Sequence, residues 1–215
     1  MAERYPGYDV LAKRRSPSWD EVTRRVVARR LAVASAPRFF SGQEWPTITA
    51  ICERILPQPA HRPPVPIAAL IDDKLFGGHL DGYRRAELPP QGEAWRRGLA
   101  ATDAEAKEAH GRAFHELTAA DRDRLLRAMQ AGRLRHAAWQ GMPCDVFFAH
   151  RVLTDITRAY YAHPTAWNEI GFGGPASPRG YVRLAFGRRD PWESFEAQPG
   201  REARASAENR RANRR

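Results

Sequence analysis

The chain has 215 residues, room for one ordinary domain with flanking extensions, and its 42% hydrophobic share can supply a real core. Its net charge of +10 first suggests nucleic acid or a membrane surface. The charge sits at the ends, however: residues 1–40 hold nine Lys/Arg against four Asp/Glu and 201–215 hold six against two, whereas 41–200 hold 20 against 19.

In chain order, the first seventeen residues, with Pro6, Gly7 and Pro17, read as an irregular basic arm. Ser18-Trp19-Asp20-Glu21 has the Ser-x-x-Glu form of a capping box and predicts a helix from Trp19 to Ala34, its apolar face carrying Val22, Val26, Val27, Leu31 and Ala34. Ser41-Gly42-Gln43-Glu44 repeats the box. Pro46 is tolerated in the first turn, and Ile48, Ile51, Cys52, Ile55 and Leu56 predict a buried helix ending at Pro57. The proline-rich PQPAHRPPVP that follows is an extended connector.

Ile67, Leu70, Ile71 and Leu75 predict a helix closed by Gly77-Gly78. A long helix follows over 90–110, with Thr102 as the point where it could break. Thr118, with Asp121 three residues on, N-caps another, which carries Leu125, Leu126 and Met129 and ends at Gly132. The last strong helix starts after Pro143 with a stripe of Val146, Phe147, His150, Leu153, Thr154, Thr157, Tyr160 and Tyr161 at a spacing near 3.6. Residues 164–192 lack helical periodicity, and the Arg/Ala/Glu tail reads as flexible, disordered or a frayed helix. The expectation is an all-α protein: a single compact domain of about six helices over 18–192, between a basic arm at 1–17 and an Arg-rich tail at 193–215.

Motifs for chemistry are missing. There is no GxGxxG after a strand, no GxxxxGK[ST] and no HExxH. Gly171-Phe172-Gly173-Gly174 precedes Pro175 and cannot open a helix as a dinucleotide loop must. His110 and His115 are five apart, on different helix faces. His150 is a core or interface residue of its stripe, and His163 stands where a cation meets C-terminal carbonyls. Asp72-Asp73 and Asp121/Asp123 are carboxylates of solvated faces and helix starts. Cys52 and Cys144 belong to no metal cluster and read as two lone buried thiols, although spacing leaves a pairing open. Catalytic, cofactor and metal residues are therefore expected to be none.

The stretch 160–181 stands out. It places Tyr160, Tyr161, Trp167, Phe172 and Tyr181 among four glycines and three prolines. Such aromatics either pack on the protein's own helices or face a partner, and the sequence leaves both open. The candidate partner interface is Tyr160, Tyr161, Trp167, Asn168, Phe172, Gly173, Gly174, Pro175 and Tyr181.

Phe39-Phe40-Ser41-x-x-Glu44, Ile51-Cys52-Glu53-Arg54-Ile55-Leu56-Pro57 and Val65-Pro66-Ile67-Ala68-Ala69-Leu70-Ile71-Asp72 together resemble the gluconate 2-dehydrogenase subunit 3 family. Gly98-Leu99, Phe114-x-x-Leu117, Phe147-Phe148, Tyr160-Tyr161-x-x-Pro164, Gly171 to Pro175 and Gly180-Tyr181 agree, so that the resemblance covers roughly 38–185. It implies a small subunit without a cofactor that supports folding, assembly or export of an FAD-dependent dehydrogenase large subunit of the glucose–methanol–choline type. A cytochrome c subunit often accompanies such complexes.

Many members carry a twin-arginine signal. Here Arg14-Arg15 is followed by charged residues, and no apolar run approaches the ~20 residues of a membrane span. The expected location is cytoplasmic, or periplasmic by co-export with a signal-bearing partner. The alternative reading, a nucleic-acid-binding protein using its basic ends, is opposed by the neutral middle. An independent enzyme is opposed by the missing motifs.

Overall fold

The computed structural model describes residues 3–33, 36–60, 62–83, 85–175 and 189–214. Among them the protein is all-α, without a strand, and the chain divides into two compact units: Met1–Ala32 with Tyr161–Arg215, and Val33–Tyr160.

The second unit holds α2 (Glu44–Ile55), α3 (Ile67–Phe76), α4 (Gln91–His110), α5 (Ala119–Gln130) and the helical run 144–162 up to Tyr160. Their ends follow from local chemistry. Ser41 N–H donates to Glu44 Oε2 (2.8 Å) and Glu44 N–H to Ser41 Oγ (3.3 Å), a reciprocal box that starts α2. Thr118 Oγ1 accepts from Asp121 N–H (3.3 Å) to start α5. Gly111, at φ +69°, closes α4 in the left-handed conformation that costs glycine nothing. Thr102 does not break α4; its hydroxyl donates to Gly98 O (2.7 Å).

α2 packs on α3, α4 and α5. The core holds Ile48, Ile51, Ile71, Trp95, Leu99, Phe114, Met129, Phe147 and Ile156, all essentially inaccessible. Phe40, Trp95, Phe147 and Trp139 form an edge-to-face series with centroids 6.2, 5.6 and 5.8 Å apart. Gly98 makes it possible, because a Cβ there would overlap the Phe147 ring.

The last strong helix departs from the expected register. It continues from α6 (Cys144–Phe147) through a π segment (Phe148–Leu153) into α7 (Thr154–Ala162). The wider π turn moves the buried face to Phe148, Val152, Ile156 and Tyr160, instead of Leu153, Thr157 and Tyr161. Thr154 Oγ1 donates to Ala149 O five residues back (2.8 Å), within that turn.

The first unit corrects several expectations. α1 spans Glu21–Leu31, capped by Asp20, whose carboxylate accepts from Thr23 N–H (2.7 Å), not by Ser18. Trp19 lies before the helix and is buried. α1 buries Thr23 and Val27 and leaves Val22 exposed; Ala34 lies outside the described residues. Residues 164–170, expected to be irregular, form α8 (Pro164–Ile170). Within the arm, Val10–Arg15 is a 3-10 turn, and Tyr8, Val10, Trp19, Val27, Trp167 and Ala212 form one core.

Of the two alternatives for the tail, disorder or helix, the structure has the helix: α9 runs Glu202–Ala212. The physical reason lies in two asparagines one turn apart. Asn209, fully buried, donates to Pro6 O and Phe195 O (both 3.0 Å) and accepts from Phe195 N–H (2.6 Å). Asn213 accepts from Asp9 N–H (2.9 Å) and donates to Gly7 O (2.8 Å). Asn209→Ala strands buried backbone groups and is expected to cost about 2–4 kcal/mol, read from faster amide exchange at Phe195; Asn213→Ala, at a more exposed site, costs about 1 kcal/mol.

Candidate partner interface

α8 is built by its ends. His163 Nδ1 accepts from Thr165 N–H (3.3 Å), Pro164 fills the first helical position, and Gly171 at φ +65° stops the helix. His163 thus caps the following helix. The inner face carries Trp167, 3% exposed, whose Nε1–H donates to Tyr161 O (2.7 Å). The Arg30 guanidinium lies 5.8 Å from the Trp167 ring centroid, and Phe172 meets that ring edge-on at 5.4 Å.

The backbone around this helix is tied from both sides. Asn168 Oδ1 accepts from Val10 N–H (2.8 Å) and Gly173 O accepts from Lys13 Nζ (2.7 Å). Gly174, at φ +71°, is buried so close to Trp19 that a Cβ would stand 2.8 Å from its ring. Part of the basic charge of the chain ends is thereby used internally: Lys13 on Gly173, Arg24 on Ser16 O (3.3 Å), Arg4 on Glu196 (2.7 Å).

The candidate residues divide. Tyr160, Trp167 and Gly174 belong to the protein's own packing, and the Tyr160 hydroxyl accepts from Arg62 (2.7 Å). Asn168 and Gly173 give polar atoms to their own chain, and Pro175 is half-buried. Tyr161 and Phe172 face out at 46% and 38% exposure, joined by Ile170 at 45%, which sequence reasoning missed. Finding Ile170 required reading α8 first; His163-Pro164 and Gly171 were the signals for it. Tyr181 lies outside the described residues.

The other candidate groups have structural partners. Asp72 is not on a solvated face: it is 2% exposed and accepts from the N–H groups of Arg38, Phe39 and Phe40 at 2.8–3.0 Å. Asp121 accepts from the Thr118 hydroxyl (2.6 Å) in the first turn of α5, and Asp123 takes both arms of Arg54 at 2.7 and 2.8 Å. Asp155 accepts from Trp95 Nε1 (2.8 Å) and Gln91 Nε2 (3.1 Å), with Arg151 at 3.4 Å and Lys74 at 3.6 Å. Cys52 and Cys144 are free and buried, and burial pushes the Cys52 thiol well above its ordinary pKa. Among the described residues no three His, Cys, Asp or Glu gather as a metal set.

With these details in place, comparison with known proteins gives one result. Residues 42–174 match the family described as gluconate 2-dehydrogenase subunit 3. The chain belongs to this family. The family segment runs from the start of α2 through α8 to Gly174, and so contains Tyr161, Ile170 and Phe172. No curated protein and no solved structure matches the chain. No helix among the described residues is long and apolar enough to cross a membrane.

The division of the aromatics is measurable. Trp167→Ala removes a buried indole and should destabilise the Met1–Ala32/Tyr161–Arg215 unit by about 3–5 kcal/mol. Phe172→Ala, at a half-open site, should change stability by about 1 kcal/mol or less. Thermal unfolding of the two variants checks the ranking.

Asp81 supplies a pH test. Burial raises its pKa, but hydrogen bonds from Lys74 and Arg151 outweigh that and leave it below the usual carboxylate range. A depressed folded pKa means that the unfolded state binds the proton first. The anchorage is therefore complete above about pH 4 and is lost as pH falls below it. The Gly82 amide resonance should move in that acid window in the wild type and not in Asp81→Asn.

Proposed function

We propose that this chain is the non-catalytic small subunit of an FAD-dependent dehydrogenase complex. It binds a large subunit of the glucose–methanol–choline type and supports its folding, assembly or export. Membership of the gluconate 2-dehydrogenase subunit 3 family over 42–174 carries this reading. The chemistry of the described residues supports it: three enclosed carboxylates, those of Asp72, Asp81 and Asp155, are bound to amides, cations and an indole. FAD and the reacting alcohol then belong to the large subunit, and electrons leave through a further redox partner such as a cytochrome c subunit. We place the chain in the cytoplasm, or in the periplasm when carried there by a signal-bearing partner.

The surface we assign to docking is Tyr161, Ile170 and Phe172. Exposed apolar side chains set on a buried aromatic base have the form of interface anchors, because the base fixes them before a partner arrives. Trp167 is that base for Phe172.

Co-expression tests the reading. With this chain present, the flavoprotein should be recovered as a stoichiometric complex and in higher soluble, FAD-loaded yield. A flavoprotein equally soluble, loaded and active without the chain refutes the reading. Tyr161→Ala with Phe172→Ala should weaken the purified complex by roughly 2–4 kcal/mol in sum, measured by titration calorimetry, with helical content unchanged.

A further inference from the structure

We propose that the loop 77–83 is a second docking surface, which takes a large-subunit segment presenting an apolar side chain beside a carboxylate. This rests on the accessory-subunit reading and adds to it where, and by what chemistry, a partner is held.

Large exposed hydrophobics concentrate here. Phe76, Leu80 and Tyr83 lie within eight residues at 55%, 72% and 70% exposure, and Leu80 and Tyr83 are the most exposed of their kind among the described residues. Apolar side chains on a loose loop fold down onto the nearest core; these are held away from it. Asp81, between them, turns inward with its side chain 8% exposed. It meets Lys74 at 2.6 Å, Arg151 at 3.0 Å and Arg158 at 3.2 Å. Gly78 and Gly82, at φ +67° and +80°, make the reversals that this inward turn requires. A buried ionic anchor of this kind costs desolvation, and its return is a loop held in one conformation. Preorganised apolar groups facing water are the signature of a surface that something covers.

Beside the loop is a cleft of about 360 Å³, whose walls include Leu80, Tyr83, Leu88, Pro90, Gln91 and Arg151. Gln91 and Arg151 each keep a buried polar atom without a partner, Oε1 and Nε, one acceptor and one donor. The ionisable groups around the cleft are Lys74, Arg85, Arg151 and Arg158 against Asp81 and Asp155, so the local charge is positive. An anionic group is the complement to that excess. A protein segment fits better than a small ligand: Leu80 and Tyr83 line the cleft yet are 72% and 70% exposed, so a molecule confined to it would cover only part of their apolar surface.

The test uses full-length chain and the purified FAD-loaded large subunit, with affinity measured by titration at two salt concentrations. Leu80→Ser with Tyr83→Ser should raise the dissociation constant roughly 10- to 100-fold. Arg85→Glu, at an exposed position, should weaken binding at low salt and much less at high salt. If wild type binds and both variants bind within about twofold of it, this surface is not used, although the accessory-subunit reading stands. If wild type does not bind, both fall. Should the double serine variant lose its helical signal, Arg85→Glu decides alone.

Discussion

Buried polar side chains that bond the backbone of irregular segments are the constraint on which the rest of this structure depends. Asp72 is the clearest case: one carboxylate on α3 takes three successive N–H groups of residues 38–40. That fixes Phe40 against Trp95 and so starts the aromatic series through the second unit. Asp103 does the same for Phe114 N–H (2.9 Å), and Glu105 for His136 N–H (2.7 Å) and Trp139 Nε1 (3.0 Å). Each charged bond to a backbone amide contributes about 1.5–3 kcal/mol, and each leaves a comparable debt if its partner is removed. Such carboxylates are absent from the solvent-facing set because they serve as internal anchors for chain that has no ladder of its own.

This division explains what the sequence could and could not reveal. α2, α3, α4 and α5 were legible because their starts and stops are local: the Ser41/Glu44 box, Thr118 with Asp121, and Gly77, Gly111 and Gly132. The π segment was not, since one extra residue in a turn leaves composition unchanged while moving burial from Leu153 and Thr157 to Val152 and Ile156. How the arm and tail are held was not legible for a different reason. Their order comes from Asn209, Asn213 and Asn168 bonding distant backbone, contacts that hydropathy does not score. α8 was within reach, through His163, Pro164 and Gly171, but seven residues are too few for periodicity to show.

The candidate interface was half legible. Aromatic residues in a glycine-rich stretch drew attention to the right segment, but residue type does not say which ring faces inward. Trp167 and Tyr160 are buried with their polar atoms satisfied by Tyr161 O and Arg62; Tyr161 and Phe172 kept open faces. Leu80 and Tyr83 carried no signal in the sequence, lying between the helix closed by Gly77-Gly78 and the one over 90–110. Only the inward turn of Asp81 shows that their exposure is held in place. In both places a buried group fixes the backbone and an exposed apolar side chain stands on it. Fixing such groups before association lowers the ordering cost of binding, which suits a subunit whose work is to hold another protein.

The central claim is that these exposed, anchored side chains are covered by a dehydrogenase large subunit. Hydrogen–deuterium exchange on the free chain and on the co-purified complex tests it most directly. The account predicts that amides of 79–83 and 170–173 gain protection in the complex, while those of α5, remote in sequence from both surfaces, stay unchanged. Unchanged exchange at both segments in a complex that demonstrably forms, with protection appearing elsewhere, contradicts it.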